Sequence, residues 1–173
     1  MSEILQQLTP AEFDARHEKM KAIRDFLVSD VTAPLYDYRK ANSFHPVIGE
    51  GNHAAKIMFI GEAPGENEAK QGRPFCGAAG KFLDVILAHL QLARGEVYIT
   101  NLVKDRPPEN RDPLPAEIEY YSKLLDKQIE ILAPSCLVTL GRHSMAYLLP
   151  KLGLSEELKT ISVMHGKVFE GSI

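Results

Sequence analysis

Three short apolar runs, each stopped by a glycine or a polar residue, limit what this chain can fold into more than any other feature. Ala55-Lys56-Ile57-Met58-Phe59-Ile60 ends at Gly61, Val97-Tyr98-Ile99-Thr100 runs into Asn101, and Cys136-Leu137-Val138-Thr139-Leu140 is closed by Gly141. Runs this short and this apolar suit strands buried on both faces, as in a parallel sheet covered by helices. The stretches between them have helical spacing. Phe82, Leu83, Ile86, Leu87 and Leu90 follow the first run, and Ile118, Tyr121, Leu124, Leu125, Ile129, Ile131 and Leu132 follow the second. This alternation predicts an α/β protein: a three-layer α/β/α sandwich around a mostly parallel sheet of four strands or slightly more.

The flanks add detail. Thr9-Pro10-Ala11-Glu12 joins a hydroxyl N-cap, a proline at the first helical position and a glutamate three residues after the cap. It predicts a helix over 10–28, with Phe13, Met20, Ile23, Phe26 and Leu27 as its apolar positions. Residues 30–54, with scattered Pro, Gly, Asn and His, read as an irregular connection holding one short strand at Pro46–Ile48. A helix from about His143 to Leu152 and a strand at Thr160–Val163 complete the expected order, all in a single domain over 1–173.

Composition narrows the function classes. The net charge is −3, which argues against a surface coated in basic charge while leaving room for a basic rim at one cleft. No run of about 18 apolar residues is present, and the N-terminus lacks the basic start and apolar core of a signal peptide, so a cytoplasmic protein without a membrane span is expected. The 2 cysteines, Cys76 and Cys136, share no C-x-x-C spacing and read as reduced thiols. Two thiols cannot by themselves hold a metal or cluster.

In a sheet of this kind the working loops leave the carboxyl ends of the strands. The first such loop, Gly61 to Gly80, is rich in glycine, lacks the Gly-Lys-Ser/Thr ending of a phosphate loop and does not match G-x-G-x-x-G. Its glycines let a ligand approach the backbone. Phe75 either stacks on a planar ring or pins the loop to the core, and Glu62 is either a functional carboxylate or a solvated strand end. The second loop runs from Asn101 to Pro115. Asn101 can donate to and accept from the edge of a base, or simply cap the loop. Lys104, Arg106 and Arg111 are either phosphate contacts or ordinary surface charges.

Taken in order, Gly-Glu-Ala-Pro-Gly, then Gln-Gly-Arg-Pro-Phe-x-Gly-x-Ala-Gly-x-x-Leu-Asp, then Ile-Thr-Asn-x-Val-Lys-x-Arg-Pro-Pro-x-Asn-Arg resembles the family 4 uracil-DNA glycosylases. Leu114-Pro115-x-Glu117-Ile118, Lys127-Gln128-Ile129, Pro134 and Leu140-Gly141 fit the same register, and the resemblance covers roughly residues 33–168. It implies a monomeric uracil-DNA glycosylase of base-excision repair that extrudes a uracil nucleotide from DNA and hydrolyses its N-glycosidic bond, leaving an abasic site. Glu62 and Asn101 would be catalytic. Ala63, Pro64, Gly65, Phe75 and Asn101 would bind the base, with Phe75 stacked on it and Asn101 reading its Watson–Crick edge, and Lys104, Arg106 and Arg111 would contact phosphates.

The chain departs from that pattern twice. Relatives of this type hold a 4Fe–4S cluster on four cysteines, whose positions here are Asp30, Ala33, Asp105 and Tyr121. No cluster or other metal is expected, with packing or an exposed ion pair of Asp105 with Lys104 and Arg106 holding those loops instead. The family's second catalytic motif, His-Pro-Ser/Ala, has no counterpart before Ile173, so the chain reads as a piece of a longer protein or as one lacking the motif. His165 lies upstream of the expected place and reads as a loop histidine, and His143 and His45 show no partners. The alternative to the enzyme is a catalytically impaired or non-catalytic relative that binds uracil-containing DNA. A covalent uracil-DNA binder of the superfamily is disfavoured, because the loop that would carry its histidine reads Val103-Lys104-Asp105-Arg106-Pro107.

Overall fold

Three of the four β strands fall on the three apolar runs, and their register sets up everything that follows. In the computed structural model, which describes residues 8–172, β1 is Glu50–Gly51, β2 Ile57–Gly61, β3 Tyr98–Asn101 and β4 Cys136–Thr139. They form one sheet in the order β1-β3-β2-β4. β2 pairs in parallel with both β3 and β4, while the two-residue β1 runs antiparallel to β3. Because Gly61 is the partner of Asn101 in this register, the loops leaving β2 and β3 start side by side.

Alternation along the strands sends side chains to two layers. Met58, Ile60 and Tyr98 join Met20, Ile23 and Leu27 of α1 (Pro10–Ser29) and Leu124, Leu125 and Ile129 of α5 (Pro115–Leu132). Phe59, Val97 and Ile99 pack instead with Leu83 and Leu87 of α4 (Ala78–His89). The result is the expected three-layer α/β/α arrangement. Truncating a fully buried core residue such as Leu27 to alanine would cost about 2–5 kcal/mol. The N-cap expectation holds as well: Glu12 N–H donates to Thr9 Oγ1 at 3.3 Å, and Thr9 N–H donates to Glu12 Oε2 at 2.7 Å. Phe13 and Phe26, read as core positions, remain partly exposed.

The structure corrects the sequence reading at three places. Residues 46–48 form no strand. Val47 N–H donates to the Lys104 carbonyl at 2.7 Å, and the Ile48 carbonyl accepts from Thr100 Oγ1 and Gln128 Nε2, so one backbone bond and two side chains hold the segment. The connection before them contains a helix, α2 (Tyr36–Ala41), whose Arg39 is buried. Thr160–Val163 is not a strand either. The β-branched run suggests one, but no sheet neighbour is offered to it among the described residues. A short helix, α7 (Ile161–Met164), forms instead and sets Met164 against Met145 and Leu149 of α6 (Arg142–Lys151). Among the described residues no helix is long and apolar enough to cross a membrane.

Candidate active site

The parallel strands bring three loops to one end of the sheet, after β2, β3 and β4. Pairing continues past the strands, with Leu102 N–H on the Gly61 carbonyl and Val103 N–H on the Glu62 carbonyl, both at 2.9 Å. The loop after β2 carries α3 (Glu66–Gln71) and leads into α4. Against these lies a pocket of about 320 Å³, lined by Ala63, Gly65, Phe75, Asn101 and Asn110 together with the first turn of α4. Gly61 lets two of these groups converge. A Cβ there would sit 2.4 Å from Asn101 Oδ1 and 2.6 Å from the Phe75 ring. The pocket size suits a small planar ligand.

Phe75 answers to both sequence alternatives. Its ring packs against the α4-side core cluster and also lines the pocket. Its φ of 50° lies in the left-handed region, which is costly for a bulky side chain and needs support from outside. Arg94 supplies it, donating to the Pro74 carbonyl at 2.8 Å and the Phe75 carbonyl at 3.2 Å while pairing with Glu50 and Asp84. Gly80 allows the rest, since a Cβ there would lie 1.7 Å from the Phe75 carbonyl oxygen. Beyond Phe75, Glu68 Oε1 accepts from the N–H groups of Cys76 at 3.0 Å and Gly77 at 2.7 Å. Neither Arg94 nor Glu68 stands out in the sequence. Each is an ordinary charged residue until the fold brings it to a distant carbonyl or amide.

Asn101 is buried, yet among the described residues its side-chain amide has no hydrogen-bond partner; only its carbonyl is engaged, by Lys104 Nζ at 2.6 Å. The amide atoms still reach the pocket, where a ligand can pair with them. Ala78 and Ala79 at the start of α4 line the same pocket, as does Glu68, whose carboxylate already takes the N–H groups of Cys76 and Gly77 there. Ala63 and Gly65 also line the pocket, whereas Pro64 is buried behind them. Glu62 is partly exposed, with Oε2 facing His143 Nε2 at 3.8 Å.

The three cations expected on phosphates are placed differently. Lys104 is fully buried, donating to Thr100 Oγ1, the Asn101 carbonyl and Gln128 Oε1. It cannot reach a phosphate, and burial drives its ammonium well below the usual lysine range. Its charge made it look like a surface group, but its place three residues after Asn101 tucks it under the strand. Arg106 is mostly covered, bonded to Asn110 Oδ1 at 2.8 Å and paired with Glu66, while Arg111 is partly exposed and grips Glu117 through both terminal nitrogens. These two stay at the loop surface. A second hollow of about 280 Å³ between α1 and α5, lined by Glu12, Arg16, Lys19 and Glu130 among others, lies away from these loops and gathers no comparable chemistry.

A family model described as the uracil DNA glycosylase superfamily matches residues 48–171. The chain belongs to that superfamily. It is 46% identical over 153 residues to the type-4 uracil-DNA glycosylase of Sulfurisphaera tokodaii, covering 88% of this chain and 67% of that protein. Against the type-4 uracil-DNA glycosylase of Saccharolobus solfataricus it is 48% identical over 140 residues, covering 80% of this chain and 62% of that protein. The Archaeoglobus fulgidus protein of the same name is 42% identical over 151 residues, covering 87% and 74%. The chain thus spans between 62% and 74% of the length of these curated relatives.

Membership in the superfamily raises the question of the iron–sulfur cluster that the resemblance implies, and the residues present do not fit one. Two of the four positions, Asp105 and Tyr121, meet at Arg39. Asp105 Oδ2 accepts from Arg39 Nη1 and from Tyr121 O–H, each at 2.7 Å, and Arg39 Nη2 donates to the Leu27 carbonyl at 2.9 Å. The Arg39 guanidinium lies over the Tyr36 ring, and Tyr36 N–H donates to the Ala33 carbonyl. Asp30 accepts from Tyr120 O–H and from Thr32. Two carboxylates, a phenol and a methyl group offer no thiolate. Cys136 starts β4 at the amino end of the sheet, and Cys76 lies beyond the carboxyl end. The expected exposed pair of Asp105 with its neighbours is also corrected: Asp105 is buried and its partner is the distant Arg39. Burial pushes the Asp105 carboxyl up, opposed by Tyr121 and Arg39.

His143, which showed no partner in the sequence, stands beside Glu62 and Asp112 at the start of α6. One ligand-type atom from each of these three lies within 4.8 Å of the others. Arg142 is already seated on Asp112, which puts a positive charge where a cation would enter. His165 is exposed.

Proposed function

We propose that this chain is a uracil-DNA glycosylase, hydrolysing the N-glycosidic bond of uracil in DNA to leave an abasic site, and that it does so without an iron–sulfur cluster. The observation that carries this reading is the Asn101 amide, which lines the pocket beside Phe75 and has no hydrogen-bond partner among the described residues. Oδ1 of that amide accepts the N3–H of an extruded uracil and Nδ2 donates to its O4, while the Phe75 ring stacks on the base. Cytosine presents the opposite pattern and would leave both groups unpaired, a strong basis for rejection. The names of the type-4 relatives support the substrate.

The chemistry separates a base from a sugar. The electron pair of the bond between N1 and C1′ leaves with the uracil, and water adds at C1′ and loses a proton. The Asn101 amide meets the charge that grows on the departing base. Glu62 serves the sugar side, where a carboxylate stabilises a developing cation and orients water. Arg106 and Arg111, at the surface of the same loop, are the remaining candidates for phosphate contacts.

The test is to incubate the protein with a labelled oligonucleotide carrying one uracil, treat with alkali, and repeat with Asn101→Ala. Strand cleavage should appear and fall by about 100- to 1,000-fold per folded molecule in the variant, whose side chain gives up no hydrogen bond among the described residues. Binding of uracil-containing DNA without cleavage would favour the non-catalytic relative. Loss of both would remove the pocket assignment.

A further inference from the structure

Glu62 has beside it one imidazole that the family motifs do not supply. The loop after β4 turns at Gly141, and the first turn of α6 then lies at the same end of the sheet as the loop after β2. This brings His143 Nε2 to 3.8 Å from Glu62 Oε2 and 3.7 Å from Asp112 Oδ2, with the imidazole side chain only 20% exposed. The two carboxylates are not equivalent. Asp112 is exposed and already carries the Arg142 guanidinium. Glu62 makes no side-chain hydrogen bond among the described residues, and its carboxylate is flanked there by the His143 imidazole and, within 4.8 Å, by the Asp112 carboxylate.

We propose that His143 is a positioning residue for Glu62, holding its carboxylate toward the sugar of the bound nucleotide when the imidazole is protonated. This rests on the glycosylase reading of the same site. At 3.8 Å the pair is longer than a hydrogen bond, as expected of a free site whose contacts tighten once substrate fills it. Arg142 supplies the opposing state. Its Nε lies 3.2 Å from His143 Nε2 and donates to it when that nitrogen carries no proton. Proton gain therefore transfers Nε2 from Arg142 to Glu62. The groups facing the imidazole are Glu62, Asp112 and Arg142, so the exchange is between one guanidinium and two carboxylates, one of them occupied.

The experiment is single-turnover uracil release from a uracil-containing duplex by the protein, His143→Gln and His143→Phe, from pH 5 to 9, with duplex affinity measured alongside. The variants should lose up to about 100-fold in rate near pH 6, since misplacing a reacting group by about 1 Å costs that much. Affinity should stay within about twofold, and the fall in rate on the alkaline side should disappear, because the Gln and Phe side chains do not titrate. His143→Gln keeps the test alive if the Phe variant fails to fold. An unchanged rate, or an equal loss at every pH, overturns the proposal. If the parent protein releases no uracil at all, the glycosylase reading has failed and the pairing is read separately, from the ring nitrogen resonances of His143 at fixed pH in the parent and in Glu62→Gln. Movement of those resonances upholds the pairing, and identical spectra overturn it.

Discussion

The loop that leaves β3 has two ends with opposite habits. At one end Asn101 keeps its side-chain amide free in the pocket. Four residues on, Asp105 is also buried but commits Oδ2 to both Arg39 and Tyr121. Groups meant for a ligand must stay idle in the free protein, whereas groups that join distant segments are satisfied from within. Arg39 ties α2 to the end of α1, and Asp105 and Tyr121 tie both to β3 and α5. That junction occupies two of the positions where the relatives' pattern calls for cysteines. A structural crosslink can be replaced by any set of contacts that holds the same segments, but a base-reading amide cannot. The replacement is incomplete in one respect, since Asp105 Oδ1 has no partner among the described residues.

The comparison breaks most visibly at Arg39. Arg39→Met would leave the Asp105 carboxylate buried with only Tyr121, and removing one partner of a buried ion pair costs about 3–5 kcal/mol. Urea unfolding should show that loss, while uracil release per folded molecule stays near the parent value. A fall in activity well beyond the fall in folded protein would mean that the junction and the pocket are one unit.

The difference between these regions also explains what could be read from the sequence. The strands and α1 follow from local pattern: apolar runs of strand length, a capping box, helical spacing. The pocket loops were legible because their residues are contiguous and resemble a family. Pairings across long separations were not. Arg39 and Asp105 lie 66 residues apart, and nothing local in either distinguishes a buried partner from a surface charge. Lys104 misled for the same reason, since a cation in a polar loop reads as solvated and only the fold shows Gln128 and Thr100 around it. His143 entered the site through the parallel register that sets the β4 loop beside the β2 loop. Thr160–Val163 failed because β-branched residues favour a strand only when a neighbour is present to pair with.

Arg94 sharpens the comparison because it belongs to both sides. Like Arg39 it joins distant segments, but the carbonyls it holds are those of Pro74 and Phe75, next to the pocket. Arg94→Ala should cost about 1–3 kcal/mol for the hydrogen bonds left unmade. It should also lower uracil release by roughly 10-fold, a tenth of the loss expected for misplacing a group by about 1 Å, through loss of the Phe75 stack. Measured together, unfolding and release should place it between Arg39→Met and Asn101→Ala. An effect on stability alone would show that the left-handed turn at Phe75 needs no tether.

Glu50 supplies the smallest and most specific test, because it separates charge from shape in the support of that loop. Burial works against its ionised form, but hydrogen bonds and charge from Arg73 and Arg94 outweigh burial and hold the carboxyl below its ordinary value. A carboxylate depressed in the folded state adds stability above its unfolded value of about 4.3, and that contribution is lost as pH falls through the lower folded value. Glu50→Gln keeps the shape and removes the charge. It should therefore destabilise the protein by about 1 kcal/mol or less at pH 7, the scale of a partly exposed pair, and the deficit should shrink steadily below about pH 4. Urea midpoints for both proteins at pH 7 and near pH 3 measure it. A deficit of equal size at both pH values would mean that Glu50 holds Arg94 by packing and hydrogen-bond geometry alone, and that the loop carrying Phe75 is anchored without electrostatic help.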